Sequence, residues 1–186
     1  MYKKIILGVD GSENGARAQE AAFAIAKACK TLRVTIVHGA VRVEEGGRIL
    51  DDAQKAASAR GVRVEKELRE GQHPGEALVE VADERDAQLI VVGSRGLSRA
   101  RRMLMGSVSN RVAHHAPCDV LIVRSGPSSE GGYARVLVAT DGSPTADRCA
   151  RKGYDLAKTL KTQLTAMFVG HPKTGEIVLR DTHASM

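Results

Sequence analysis

The sequence predicts an α/β fold in which a parallel sheet is covered by helices on both faces. Short apolar runs typical of buried strands alternate with longer segments in which apolar residues recur at helical spacing. The 186 residues suffice for one full core and part of a second. An apolar content of 42% excludes a disordered chain.

The chain begins in the order strand, helix, strand, helix, strand. Ser12 is a favourable N-cap residue, and Ala18, Ala22 and Ile25 follow it at the spacing of one buried helix face. Apolar spacing also predicts the second helix. The predicted bounds are 4–9, 33–38 and 62–67 for the strands and Ile49–Arg60 for the second helix.

Two more helices and two more strands follow. Pro74 suits the first turn of a third helix, which would bury Leu78 and Val81. A fourth helix is predicted from Gly106 towards Pro117. The predicted bounds of the fourth and fifth strands are 88–93 and 119–124.

A glycine pattern lies between the fourth strand and the fourth helix. It reads Gly93-Ser94-Arg95-Gly96, nine further residues, then Gly106-Ser107. Glycines let the backbone approach an anion closely, and the free amides and dipole at a helix start supply positive potential. The pattern is neither a Walker A loop nor a dinucleotide fingerprint. It predicts a phosphate-binding loop, and two ordinary glycine turns are the alternative.

This pattern, together with Ile5–Ser12 near the start, resembles the universal stress protein family. The resemblance covers one complete module, and an intact glycine motif marks the family's ATP-binding members. It implies a five-stranded sheet in the order 3-2-1-4-5, whose first and fourth strands are neighbours. Open α/β sheets bind ligands at such a switch point, where Asp10 and Gly93 end the two strands.

The resemblance also implies which residues would hold a nucleotide. Asp10 would accept hydrogen bonds from the ribose hydroxyls or the adenine amine, with helix capping as its alternative role. Gly39 would lie beside the adenine or serve as a turn glycine, and Arg95 would add charge or lie on the solvated surface. Apolar walls are assigned to Val9 and Val92, and the phosphates to the amides and hydroxyls of Gly93, Gly96, Gly106, Ser107, Val108 and Ser109.

The expected function is that of an ATP-binding switch or sensor in the stress response. ATP, or ADP or AMP, would carry Mg²⁺ or Mn²⁺ on its phosphates. A slow ATPase or phosphotransferase and a docking module that binds no nucleotide are the alternatives. No catalytic residue and no metal held by the protein is predicted, since His114 and His115 are adjacent and point about 100° apart on a helix. His38 is interpreted as a packed strand residue.

Composition indicates which binding partners and which cellular compartment to expect. The net charge is +6, but aromatics at 3% and the lack of tryptophan disfavour nucleic-acid binding. Three cysteines without CxxC spacing indicate a reduced, cytoplasmic protein. The sequence contains neither a run long enough for a membrane span nor a signal-peptide pattern.

Residues 2–39 align without a gap on residues 133–170, as expected of a tandem repeat. In this alignment the Asp10-Gly11-Ser12 segment meets Asp141-Gly142-Ser143. The glycine pattern is not repeated, which predicts that the second copy is partial. The predicted organisation is a nucleotide-binding module over 1–125, a linker over 126–132, a βαβ repeat over 133–170 and a polar tail over 171–186.

Uncovered apolar strands predict a partner chain. A lone βαβ unit cannot cover its own strands, so it would pack on the first module, on a partner or remain partly unfolded. ATP-binding relatives pair through the last strand of the module, here 120–123, and the resemblance therefore implies a homodimer. A shortened tandem protein without such a contact is the alternative, and the client protein is unknown.

Overall fold

The chain in the computed structural model divides into two compact units, Tyr2–Pro127 and Ser128–Met186. Within the described part of the chain, none of the helices combines the length and apolarity that crossing a bilayer requires. The residues that the structure describes are 1–31, 33–40, 43–94, 106–124 and 133–168.

A five-stranded parallel sheet forms the centre of the first unit. Its strands are β1 (Lys4–Gly8), β2 (Arg33–Ala40), β3 (Val64–Glu70), β4 (Leu89–Gly93) and β5 (Asp119–Val123). Their order is β3-β2-β1-β4-β5, which confirms the predicted fold class and strand order. Leu7 of β1 pairs with Ile36 of β2 on one side and with Val91 of β4 on the other. The first strand therefore lies at the centre, where its carboxyl end meets that of β4.

Helices cover both faces of this sheet, as predicted. They are α1 (Glu13–Cys29), α2 (Val43–Ala59), α3 (Pro74–Glu84) and α4 (Ser107–His115). Phe23 of α1 and Leu50 of α2 pack with Leu7 in one buried layer. Leu78 of α3 packs with Ile6 in the other layer. Each large apolar side chain buried in this way contributes about 1.5–3 kcal/mol to stability.

The predicted bounds of α2 and β3 are wrong. The helix begins at Val43 rather than Ile49, because Glu44 and Glu45 favour the positive end of a helix although they break the apolar spacing. The strand covers Val64–Glu70 rather than 62–67. It is an edge strand rich in charged residues that form ion pairs with the neighbouring helices, so its apolar pattern is weak.

The start of β1 is tied to the start of β5 by a side-chain hydrogen bond. The Tyr2 hydroxyl donates to Asp119 Oδ2 at 3.0 Å. Burial is the largest of the causes that raise the pKa of Tyr2 above its ordinary value of 10.0, and the nearby Asp119 carboxylate is the second. The pKa of Tyr2 is higher in the folded state than in the unfolded state. The contribution of its protonated hydroxyl to stability is therefore fully present below pH 10 and is lost as the pH rises towards the folded-state pKa.

Replacing Tyr2 with Phe should lower the free energy of unfolding by about 1 kcal/mol at neutral pH, since one partly buried hydrogen bond is lost. The variant should also lose less stability than the wild type between pH 9 and pH 11. Urea denaturation across that pH range measures both effects. Tyr154→Phe, at a tyrosine whose hydroxyl makes no hydrogen bond within the described residues, is the control. Equal alkaline profiles for wild type and Tyr2→Phe would contradict the prediction.

The second unit contains a βαβ element. It consists of β6 (Arg135–Thr140), α5 (Pro144–Leu160) and β7 (Gln163–Phe168), and the two strands are parallel. Ser143 caps α5 as Ser12 caps α1, each accepting from the amide three residues on. Val138 is buried, whereas Leu137 on the neighbouring position is 60% exposed. That this unit is a partial copy of the first stays a prediction, which the matching caps support.

Candidate functional site

The carboxyl edge of the five-stranded sheet collects most of the predicted site residues. Because all five strands are parallel and each of the first four is followed by a helix, α1–α4 all begin at this edge. Asp10 follows β1, Gly39 lies near the end of β2, Gly93 ends β4 and Gly106 precedes α4. Arg95 and Gly96 lie outside the described residues.

Asp10 is half-buried, and its two carboxylate oxygens have different surroundings. Oδ1 accepts hydrogen bonds from the Ser12 amide at 3.0 Å and the Ser12 hydroxyl at 2.6 Å. Ser12 Oγ in turn accepts from the Gly15 amide at 3.0 Å and caps α1, as predicted. Oδ2 accepts no hydrogen bond from the described residues. Asp10 therefore supports the helix cap through one oxygen, while the other is left without a hydrogen bond among the described residues.

Gly15 belongs to this arrangement, although the sequence motifs did not single it out. It is buried in the first turn of α1, and a Cβ at this position would overlap Asp10 Oδ1. A glycine in a helix costs about 1 kcal/mol relative to alanine, so its presence in an alanine-rich helix was a usable signal. Gly15 leaves room for the Asp10 carboxylate at the start of the helix.

Gly93 lets β4 approach the first turn of α1. A Cβ at Gly93 would lie 2.9 Å from the Asn14 carbonyl oxygen and 3.0 Å from its carbonyl carbon. Real Cβ atoms essentially never come that close to backbone. The glycine is thus required by a close approach of backbone, and the atoms that approach belong to the protein itself.

Hydrogen bonds join the two ends of the loop between β4 and α4. The Gly106 amide donates to the Ser94 carbonyl oxygen at 2.8 Å. The Ser109 hydroxyl lies 3.1 Å from that same oxygen and 3.1 Å from the Gly106 carbonyl oxygen. Ser109 is only 1% exposed, so its hydroxyl holds the loop ends rather than facing solvent. The Ser94 carbonyl oxygen, for which the glycine pattern predicts no role, is the acceptor shared by the Gly106 amide and the Ser109 hydroxyl.

The first turn of α4 is left without a side-chain cap. Gly106 occupies the N-cap position with φ −76° and ψ 164°, and it has no side chain to accept a hydrogen bond. By contrast, Ser12 caps α1 and His73 Nδ1 accepts from the Gly75 amide at the start of α3. Ser107 is exposed and Val108 is half-buried against the α3 side of the core. Uncapped amides at the positive end of a helix are suited to an anion.

The structure does not bring the Val9 and Val92 side chains together. Val9 is 4% exposed and lies in the layer of α1 and α2, whereas Val92 is 2% exposed and lies in the layer of α3 and α4. Gly39 is a strand residue rather than a turn residue, and a Cβ there would lie 2.8 Å from Pro74 Cα. It brings β2 close to the start of α3.

Two further features at this edge were missed. His38 is half-buried, and its Nδ1 lies 2.6 Å from the Val9 carbonyl oxygen. A cavity of about 510 Å³ opens beside the first turn of α2, and Val43, Glu44, Glu45 and Arg48 are the described residues that line it. The predicted start of α2 at Ile49 left these residues out.

Among the described residues, no group of three or more His, Cys, Asp or Glu side chains is placed to hold a metal ion.

Comparison with known sequences identifies the class of protein that this fold and site define. Residues 40–124 match the family model described as the universal stress protein family. The chain is 33% identical over 150 residues to universal stress protein YxiE of Bacillus subtilis. The match covers 67% of this chain and 100% of that relative. The chain belongs to the universal stress protein family.

Solved structures agree with this assignment. A universal stress protein in complex with cAMP is 34% identical, with a TM-score of 0.57 over 67% of this chain and 99% of that one. A universal stress protein from Archaeoglobus fulgidus DSM 4304 is 22% identical, with a TM-score of 0.74 over 98% of this chain and 73% of that one. The second likeness shows the fold alone, and it extends over nearly the whole chain.

Proposed function

We propose that this protein binds a nucleotide, with ATP as the first candidate, and acts as a nucleotide-dependent switch in a cytoplasmic stress response. The observation that carries the proposal is the uncapped start of α4, which is hydrogen-bonded to Ser94 directly after β4, at the same edge of the sheet as Asp10. An anion-binding helix start and a hydrogen-bond acceptor for hydroxyl or amine groups lie on one edge of the sheet. A nucleotide carries both kinds of group.

The phosphates belong at α4. The amides of Ser107 and Val108 and the exposed Ser107 hydroxyl would bind phosphate oxygens, together with Arg95 and Gly96 of the intervening loop. Ser109 would support phosphate binding indirectly, because its hydroxyl holds the two ends of the loop together. A Mg²⁺ or Mn²⁺ ion would be carried on the phosphates, as these cations prefer oxygen ligands.

The ribose or base belongs at Asp10. A carboxylate only accepts hydrogen bonds and repels phosphate, so Oδ2 is suited to a ribose hydroxyl or to the adenine amine. The cavity beside α2 offers space for the base, and Gly39, packed against Pro74, would present only backbone atoms to it. One relative at 34% identity was solved with cAMP, which supports adenine nucleotides as the ligand class.

A homodimer through β5 is part of the proposal. Val120, Leu121, Ile122 and Val123 are all half-buried on this edge strand. The opposite edge strand, β3, carries charged residues along its length, which discourages pairing. The apolar edge of β5 is therefore the one suited to a second copy of the chain.

Native mass spectrometry of the purified chain, with no nucleotide added, tests the proposal. We expect a dimer that retains about one adenine nucleotide per chain or that takes up Mg-ATP on titration. A species that is free of ligand and ignores Mg-ATP would overturn nucleotide binding and favour a docking module. A monomer that binds ATP would overturn only the dimer. Release of ADP by the wild type at a steady rate would favour the ATPase alternative.

A further inference from the structure

The His38 side chain completes the hydrogen bonding between β1 and β2 at the carboxyl edge. The Val9 amide donates to the Val37 carbonyl oxygen at 3.0 Å, which continues the backbone ladder one residue past β1. The Val9 carbonyl oxygen is then met by His38 Nδ1 at 2.6 Å. A carbonyl only accepts, so Nδ1 must carry the hydrogen, and the imidazole is held with that nitrogen protonated.

This bond lies where the two strands separate. The register of β1 with β2 ends at the pair of Gly8 and Val37. β2 continues alongside β3 as far as the pair of Ala40 and Glu70, while the first strand leaves the sheet towards α1. His38 therefore holds the carbonyl of the first residue after β1, before the chain turns away.

The next residue along the chain is Asp10. The Val9 carbonyl belongs to the peptide that joins Val9 to Asp10, so the His38 bond fixes the plane of that peptide. On its other side Asp10 is fixed by Ser12, which occupies Oδ1. The position of the remaining oxygen, Oδ2, relative to the sheet thus depends on both attachments.

We infer that His38 is a positioning residue of the nucleotide site, acting on Asp10 through the Val9 carbonyl; this inference rests on the proposed function. A purely packed side chain in this place would need no hydrogen-bond donor. A half-buried carbonyl that lost its donor would be left unsatisfied, and the Val9–Asp10 peptide would be free to rotate. The role is therefore specific to the donor on Nδ1.

Two substitutions of similar polarity separate the roles of the two imidazole nitrogens. The amide nitrogen of Asn lies near the position of Nδ1, and that of Gln lies near the position of Nε2. We expect His38→Asn to bind Mg-ATP within about two-fold of the wild type, and His38→Gln to bind it about 5–10-fold more weakly, as for one lost hydrogen bond. Isothermal titration calorimetry measures both affinities, and thermal unfolding verifies that both variants are folded.

Two readouts distinguish positioning from a general loss of structure. Inorganic tripolyphosphate should bind wild type and His38→Gln equally, because Asp10 does not contact phosphate. In an Asp10→Ala background, His38→Gln should cause little further loss of ATP affinity, because the two residues act as one unit. Additive losses, or equal ATP affinity of His38→Gln and wild type, would overturn the inference alone. A wild type that binds no nucleotide would overturn the proposed function and this inference with it.

Discussion

Replacing Gly106 with Asp should abolish nucleotide binding and leave the chain as stable as the wild type or slightly more stable. Gly106 has N-cap backbone angles that any residue adopts, so the substitution needs no rearrangement of the backbone there. An Asp side chain at this position accepts hydrogen bonds from the first-turn amides of α4 and stabilises the helix by a few tenths of a kcal/mol, on the order of the usual Gly-to-Asp gain. Its carboxylate would occupy the place proposed for a phosphate.

The expected loss in ATP affinity is about 100-fold or more, since two charge-assisted hydrogen bonds of about 1.5 kcal/mol each are removed. Calorimetric titration with Mg-ATP and urea denaturation measure the two effects separately. Ala113→Asp adds the same charge to an exposed position in the second half of α4, away from its first turn, and it should leave ATP affinity within a few-fold. Unchanged ATP binding by Gly106→Asp would show that the phosphates are not held at α4.

The layers of the fold could be predicted from the sequence because each buried element repeats its apolar residues at its own period. This holds for Ile5 and Leu7 on one face of β1 and Ile6 on the other, and for the apolar stripe of α1. The order of the strands depends instead on contacts between distant segments, and the family resemblance supplied it. The edge strand β3 and the polar start of α2 were misplaced because charged residues there interrupt the apolar period.

The candidate site could be predicted only in part, because several of its contacts join segments far apart in the chain. The glycine spacing identified Gly93 and Gly106. The registers of Ile6 with Ile90 and of Leu7 with Val91 decide that Val9 and Val92 point into different layers, and no local pattern shows those registers. The contact between His38 and Val9 likewise exists only because β2 lies beside β1.

The Gly93→Ala variant should be destabilised by about 1–3 kcal/mol, since one added methyl group would press on backbone rather than on a mobile side chain. The atoms in its way are the carbonyl oxygen and carbon of Asn14, in the first turn of α1. That turn is held by the Ser12 cap, which also anchors Asp10 Oδ1. Relief of the overlap must therefore move the Asp10 carboxylate, and ATP affinity should fall together with stability.

The control is Gly47 of α2. A Cβ there would have none of the described residues outside its own helix backbone within 4 Å, so Gly47→Ala should gain about 0.5–1 kcal/mol from the better helix propensity of alanine. Urea denaturation of both variants thus yields changes of opposite sign from the same Gly-to-Ala substitution. The Gly47 variant shows the effect of an added methyl group that meets no described neighbour, so a loss of stability in Gly93→Ala reports the contact with Asn14. If Gly93→Ala were as stable as the wild type and bound ATP equally well, the close approach of β4 to α1 would not be what requires glycine at this position.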